Sequence, residues 1–91
     1  MFIMPDFIHN KEEWTVWLLG SEFHDTATID MLVQRTRYSR EDILDSVGVL
    51  ERMKAIRVNR NAVNAVIIDS IALVPNGKKM YRELMLRSGR S

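Results

Sequence analysis

The residue types that commonly carry chemistry are sparse in this chain of 91 residues. It contains no cysteine, so disulfides, thiolate metal sites and cysteine nucleophiles are excluded. His9 and His24 are the only histidines, and neither stands at metal-ligand spacing from a second histidine or a carboxylate pair. The carboxylate pairs Glu12-Glu13 and Glu41-Asp42 each fall at the start of a predicted helix, where the helix dipole favours negative charge without any catalytic role. The glycines, at 20, 48, 77 and 89, are scattered and form no phosphate-cradling loop. The expectation is a protein that is not an enzyme and needs neither cofactor nor metal.

What remains is charge, and it is unevenly distributed. Residues 1–34 carry one basic side chain, Lys11, against six acids, a net charge of −5. Residues 35–91 carry twelve Lys and Arg against six acids, a net charge of +6. The split points to a basic surface on the C-terminal two thirds, as a nucleic-acid partner would require. Hydrophobic residues make up 46% and charged residues 27% of the chain, ordinary globular composition for a single folding unit. No apolar run reaches the ~18 residues of a membrane span, and the apolar first residues lack a basic leader. A cytoplasmic protein is expected, nucleoid-associated if it binds DNA, with no membrane partner.

The elements that must position these charges follow from periodicity and capping. Asn10 with Glu13 three residues on reads as a capping box, and Trp14, Trp17 and Leu18 make an apolar stripe that Gly20-Ser21 stops. Thr26-Ala27-Thr28 is β-prone and short, and Thr28 then caps a second helix bearing Ile29, Leu32 and Val33. After an interruption at 36–38, Ser39 caps a third helix whose buried stripe is Ile43, Val47 and Leu50. Ile56-Arg57-Val58 alternates as a half-buried strand, Asn59-Arg60-Asn61 breaks it, and 66–74 reads as a second strand of ambiguous register because Asp69 interrupts one alternation. Pro75-Asn76-Gly77 is expected as a turn before a last helix over 78–87, with Met80, Tyr81 and Leu84 inward. Residues 1–9 form an apolar arm, 10–87 the domain, and 88–91 a frayed tail.

Two helices joined by a short turn and followed by a β-hairpin is the order of a winged helix-turn-helix, a mainly α (α+β) fold with a small antiparallel sheet. Leu50-Glu51-Arg52-Met53-Lys54-Ala55-Ile56-Arg57-Val58 resembles the end of the recognition helix and the start of the wing in winged-helix transcription regulators. In those families a Leu-Glu pair is followed by Gly and then an aliphatic residue. Ile71-Ala72-Leu73-Val74-Pro75-Asn76-Gly77-Lys78 resembles the exit from the second wing strand, where a Thr-Pro-x-Gly-Lys/Arg turn opens the last helix. The chain departs from the pattern at Lys54, where Gly is usual, and at Val74, where Thr or Ser is usual.

The resemblance implies a regulator that binds double-stranded DNA. The turn before the third helix offers Arg37, Tyr38, Ser39 and Arg40 as phosphate donors. Arg57, Arg60 and Asn61 belong to the wing and reach the flanking backbone or minor groove. Against this, the solvent face of the third helix carries Glu41, Asp42, Asp45, Gly48, Val49 and Arg52. Three carboxylates there oppose phosphates unless one, such as Asp45, accepts a hydrogen bond from a cytosine amino group. The alternative is a winged-helix protein-interaction module in a replication or transcription assembly, using that acidic face. The apolar arm and first helix (Phe2, Ile3, Phe7, Ile8, Trp14 and Trp17) are expected to pack across a two-fold axis in a homodimer.

Overall fold

The computed structural model describes residues 4–89. Four helices and three strands follow in the order α1 (Lys11–Ser21), β1 (Thr26–Ala27), α2 (Ile29–Thr36), α3 (Arg40–Arg52), β2 (Ile56–Arg60), β3 (Ile68–Leu73) and α4 (Pro75–Arg87). The strands form one antiparallel sheet in the order β1-β3-β2. This is the expected winged helix-turn-helix, with α2 and α3 as the helix pair and β2–β3 as the wing.

The first three helices start where their caps demand. The Asn10 side chain accepts the Glu13 amide at 2.8 Å, and the Glu13 carboxylate accepts the His9 amide at 2.8 Å. Thr28 accepts from Met31 and Ser39 accepts from Asp42, so both helices of the pair have satisfied first turns. Helix α1 departs from the single apolar stripe read in the sequence. Residues Trp14, Thr15, Val16, Trp17, Leu18 and Leu19 are all buried, because α1 touches every other helix and β3 as well. A helix enclosed all round needs apolar side chains all round, and the buried Thr15 hydroxyl is satisfied by donating to the Lys11 carbonyl. Ile29, Leu32, Ile43, Val47, Leu50, Ile71, Leu73 and Leu84 complete one core cluster with it.

The wing's register has a definite solution. Ile56 and Val58 oppose Leu73 and Ile71, all on the core face, while Arg57 opposes Ala72 on the other. Asn59 opposes Ser70, yet Arg60 opposes Ile68, so Asp69 is the extra residue of a β-bulge. The bulge explains why neither alternation across this strand reads cleanly. It also shortens the second wing strand relative to the 66–74 expected, since Val66 and Ile67 belong to the loop and Val74 to the cap of α4.

The largest correction concerns Pro75-Asn76-Gly77, which is the first turn of α4 rather than a turn before it. Proline suits this position because its fixed φ is helical and its missing N–H would have no partner there. Gly77 is buried for a different reason. A Cβ on it would stand 2.0 Å from the Ala55 carbonyl oxygen, which also accepts the Val74 amide at 3.2 Å. Met80 and Tyr81 are only half-buried, while Leu84 is fully enclosed. Gly20 lies inside α1, where it makes room for the Tyr81 ring.

Lys54 leaves α3 at φ 59, with its amide bonded to the Glu51 carbonyl and the Ala55 amide bonded to the Leu50 carbonyl. This is the left-handed exit that favours glycine, so the departure at Lys54 changes the side chain without changing the path. Two opposite outcomes follow. Lys54→Gly removes the steric penalty of the left-handed region and should stabilise the fold by about 1 kcal/mol, read as a higher thermal midpoint. Gly77→Ala should destabilise by about 1–3 kcal/mol, because the obstructing atom is backbone and cannot rotate away. An unchanged midpoint in Gly77→Ala would refute the close approach.

Candidate nucleic-acid interface

The structure gathers the expected contact residues on three adjoining pieces of the domain. Arg37 caps the end of α2 at φ 68, Tyr38 and Ser39 form the turn, and Arg40 opens α3. Arg37, Ser39 and Arg40 are exposed. Tyr38 is half-buried against the core, its hydroxyl 3.8 Å from the Met4 sulfur, and it acts first as a packing residue. The Ser39 oxygen accepts the Asp42 amide, which leaves its proton free to donate. Arg57 is exposed on the outer face of β2, and Arg60 ends that strand. Asn61 sits at the mouth of the wing loop and ties it together through its side-chain oxygen.

The wing adjoins the helix pair at two places. Arg60 reaches Glu51 of α3 at 3.3 Å. A cleft of about 310 Å³ is lined by Thr28, Ile29, Asp30 and Arg40 on one side and Ile67, Ile68 and Asp69 on the other. The start of α3 and the base of the wing are therefore neighbours.

The sequence did not reveal that Arg40, Arg60 and several cations elsewhere in the domain already face acids. Arg40 bonds to Asp30 of α2. Lys11 of α1 stands 2.8 Å from Asp45 and 3.8 Å from Asp42, while Arg35 pairs with Glu22, Lys78 with Asp25 and Arg87 with Glu13. The acidic face of α3 is thus partly neutralised by α1, which reduces the objection to phosphates nearby. Glu12 adds to this crossing by accepting the hydroxyl proton of buried Ser46 at 3.1 Å. No spacing rule within one helix could have found pairs that depend on α1 lying beside α3. Gly48 leaves the middle of α3 open, with only Arg52 near the space a side chain would take.

Of the six residues expected between subunits, Ile8, Trp14 and Trp17 are buried within one chain. Trp17 packs between Phe7, edge-on at 4.8 Å, and Tyr81 at 5.3 Å. Arg87 holds the arm from outside by donating to the Phe7 carbonyl at 3.0 Å. These side chains have intrachain partners because the arm folds back over α1 and α4. Phe7 is half-buried, and Phe2 and Ile3 lie outside the described residues. Among the described residues no cluster of His, Asp and Glu could hold a metal ion, and no helix is long and apolar enough to cross a membrane.

The hydrogen bond from Lys11, reinforced by its charge, holds the Asp45 carboxyl below the usual aspartate range, and the same bond raises Lys11. The pair is therefore intact at neutral pH and is lost as pH falls through the depressed Asp45 value or rises through the raised Lys11 value. In Lys11→Ala, an NMR titration of the Asp45 carboxyl carbon should move upward toward ordinary aspartate. A titration that stays depressed would mean that Lys11 is not its partner in solution.

No protein-family model and no curated protein sequence matches the chain. Solved structures do. Bordetella bronchiseptica BpsR, described for the regulation of its DNA binding by 6-hydroxynicotinic acid, superposes with a TM-score of 0.71 at 15% identity, over 94% of this chain and 64% of its own. The adhesin competence repressor of Streptococcus pyogenes gives 0.71 at 16% identity, over 90% and 58%. S. aureus MepR in complex with DNA gives 0.70 at 20% identity, over 90% and 58%. The chain thus spans about 58–64% of the length of these three. Identities this low speak to architecture, and on architecture they agree with the element order: this chain has the winged helix-turn-helix fold.

Proposed function

We propose that the protein is a DNA-binding transcriptional regulator that contacts duplex DNA through the helix-turn-helix turn and the wing. The observation that carries this reading is the placement of Arg37, Ser39 and Arg40 at the open end of α3, with Arg57 and Arg60 on the adjoining wing. A winged helix directs the start of its second helix into the major groove, where such donors meet phosphates. The fold likeness to S. aureus MepR, solved in complex with DNA, supports the same reading. The protein would act in the cytoplasm, alongside the chromosome.

Binding requires exchange rather than simple addition. Arg40 and Arg60 must leave Asp30 and Glu51 for phosphates, a trade between exposed partners that is favourable because exposed ion pairs contribute little and phosphate contact releases counterions. Fluorescence anisotropy on random duplex DNA at several salt concentrations tests this. Arg37→Ala, Arg40→Ala and Arg60→Ala should each weaken binding to all sequences alike and reduce the salt slope by about one. Asp45→Asn should tighten general binding. It lowers discrimination between sites if Asp45 reads a cytosine and leaves discrimination unchanged if it does not. If none of the arginine substitutions alters affinity, the reading fails and the acidic face of α3 becomes a surface for a protein partner.

The regulator is further proposed to act as a homodimer, as a two-fold operator would require. With Ile8, Trp14 and Trp17 enclosed, the surface available lies around Phe7 and the exposed Leu86 of α4, 74% accessible. Sedimentation at micromolar concentration should give about twice 10.6 kDa, and Leu86→Glu should return it to that of one chain. A wild-type monomer at high concentration would remove the dimer.

A further inference from the structure

The chain has no cysteine but six methionines, so thioether sulfur is the side-chain atom most open to a mild oxidant. One of these sulfurs has a structural task. At the start of α2 the Thr28 hydroxyl oxygen accepts the Met31 amide at 3.1 Å, and the Met31 Sδ accepts the Thr28 amide at 3.5 Å. That reciprocal pair is a capping box, with Met31 at the third helical position. Glu or Gln ordinarily fills this position, because a side-chain oxygen there accepts the amide of the cap residue. A thioether sulfur is a weak acceptor. The box is complete in geometry and weak in chemistry.

Oxidation supplies the missing atom. Methionine and glutamine match along the side chain, so Sδ stands where glutamine has Cδ. A sulfoxide oxygen on Sδ therefore stands where glutamine carries Oε1, within reach of the same amide. Access is present as well. Met31 is 38% exposed and borders an open hollow of about 290 Å³ with Phe23, Gln34 and Arg35. Met4, Met80 and Met85 are half-buried. Met53 is more exposed, at 49%, but it caps α3 through its backbone.

We infer that Met31 is an oxidation site for peroxide-class oxidants, at which the product sulfoxide takes over the capping bond from Thr28 and strengthens the start of α2. In this step a lone pair on Sδ attacks one oxygen of hydrogen peroxide. The S–O bond forms as the O–O bond breaks, sulfur gives up two electrons, and the departing hydroxide takes the remaining hydroxyl proton and leaves as water. Methionine oxidation usually disrupts by placing a polar atom in apolar packing. Here the oxygen arrives at a surface turn, beside a donor that has only sulfur to bond. Sulfoxide is also the oxidation level that methionine sulfoxide reductases return to thioether, so the change is reversible. Met31 adjoins Asp30, the partner of Arg40, which places the modified turn at the border of the candidate interface. Nothing in this chemistry depends on whether the domain binds DNA.

The full chain can be treated with dilute hydrogen peroxide, mapped by peptide mass, and followed intact by amide hydrogen exchange. The peptides holding Met31 and Met53 should gain one oxygen each, ahead of those holding Met4, Met80 and Met85. Exchange of the Thr28 amide should slow about fivefold in the oxidised chain, the size of one improved hydrogen bond. Met31→Gln, which carries the oxygen permanently, should slow the same amide without peroxide and raise the thermal midpoint. Met31→Leu, which has no acceptor, should exchange faster at Thr28 and show no response there to peroxide. Met53→Leu should respond as the wild type does. An oxidised wild type whose Thr28 amide exchanges as fast as before, or faster, overturns the inference, as does a Met31 that stays reduced while Met53 is oxidised. A Thr28 response that persists in Met31→Leu assigns the effect to another methionine and also overturns it. Because the treated wild type is compared with itself, the outcome does not depend on how well Met31→Leu folds.

Discussion

The carbonyl of Ala55 is the point on which the domain turns. It accepts the Val74 amide, and Gly77 lies so close above it that no side chain fits between. That single contact joins the end of α3, the first wing strand and the start of α4. Lys54 must turn left-handed to bring Ala55 there, and Pro75 must open a helix at once so that Gly77 arrives over it. Move this corner by an ångström, and the wing and α3 no longer share one orientation.

Around that corner the charges are arranged in crossing pairs rather than in same-sign patches. Lys11 meets Asp45 from another helix, Arg40 meets Asp30 across the turn, and Glu51 meets Arg60 across the wing. Individually, exposed pairs of this kind stabilise little. Their larger effect is to set the potential a ligand meets, since Arg40 at the turn and Arg60 on the wing can change partners. The arm shows the same economy, with Glu13 serving the cap of α1, the His9 amide and Arg87 together. Burial pushes the Glu13 carboxyl up, but the bonds from His9 and Arg87 outweigh it and hold the group below its usual range.

The fold was legible because its signals are local. Asn10, Thr28 and Ser39 each announce a helix start, and Ile43, Val47 and Leu50 mark the buried side of α3 with no tertiary information. What failed to show were features set by two distant segments at once. The helical role of Pro75 to Gly77 depends on the Ala55 carbonyl, and the register of β3 depends on a bulge opposite β2. The enclosure of α1 depends on everything packed around it. The candidate site divides the same way. The placement of Arg37, Ser39 and Arg40 followed from the turn, but the acids that hold Arg40 and Arg60 belong to other elements. Val66 and Ile67 read as the beginning of a strand but belong to the wing loop.

The bulge at Asp69 has a consequence for how such a domain could diversify. An extra residue in one strand increases the local twist and bends the ribbon, so the direction of the wing is governed by one exposed position outside the core. Deleting that residue would restore a continuous ladder and remove the bend, so that the tip takes a new bearing. The rest of the domain would be left intact. Insertions and deletions at this one site are therefore a steering adjustment, through which related chains could address differently spaced targets while keeping the same helices.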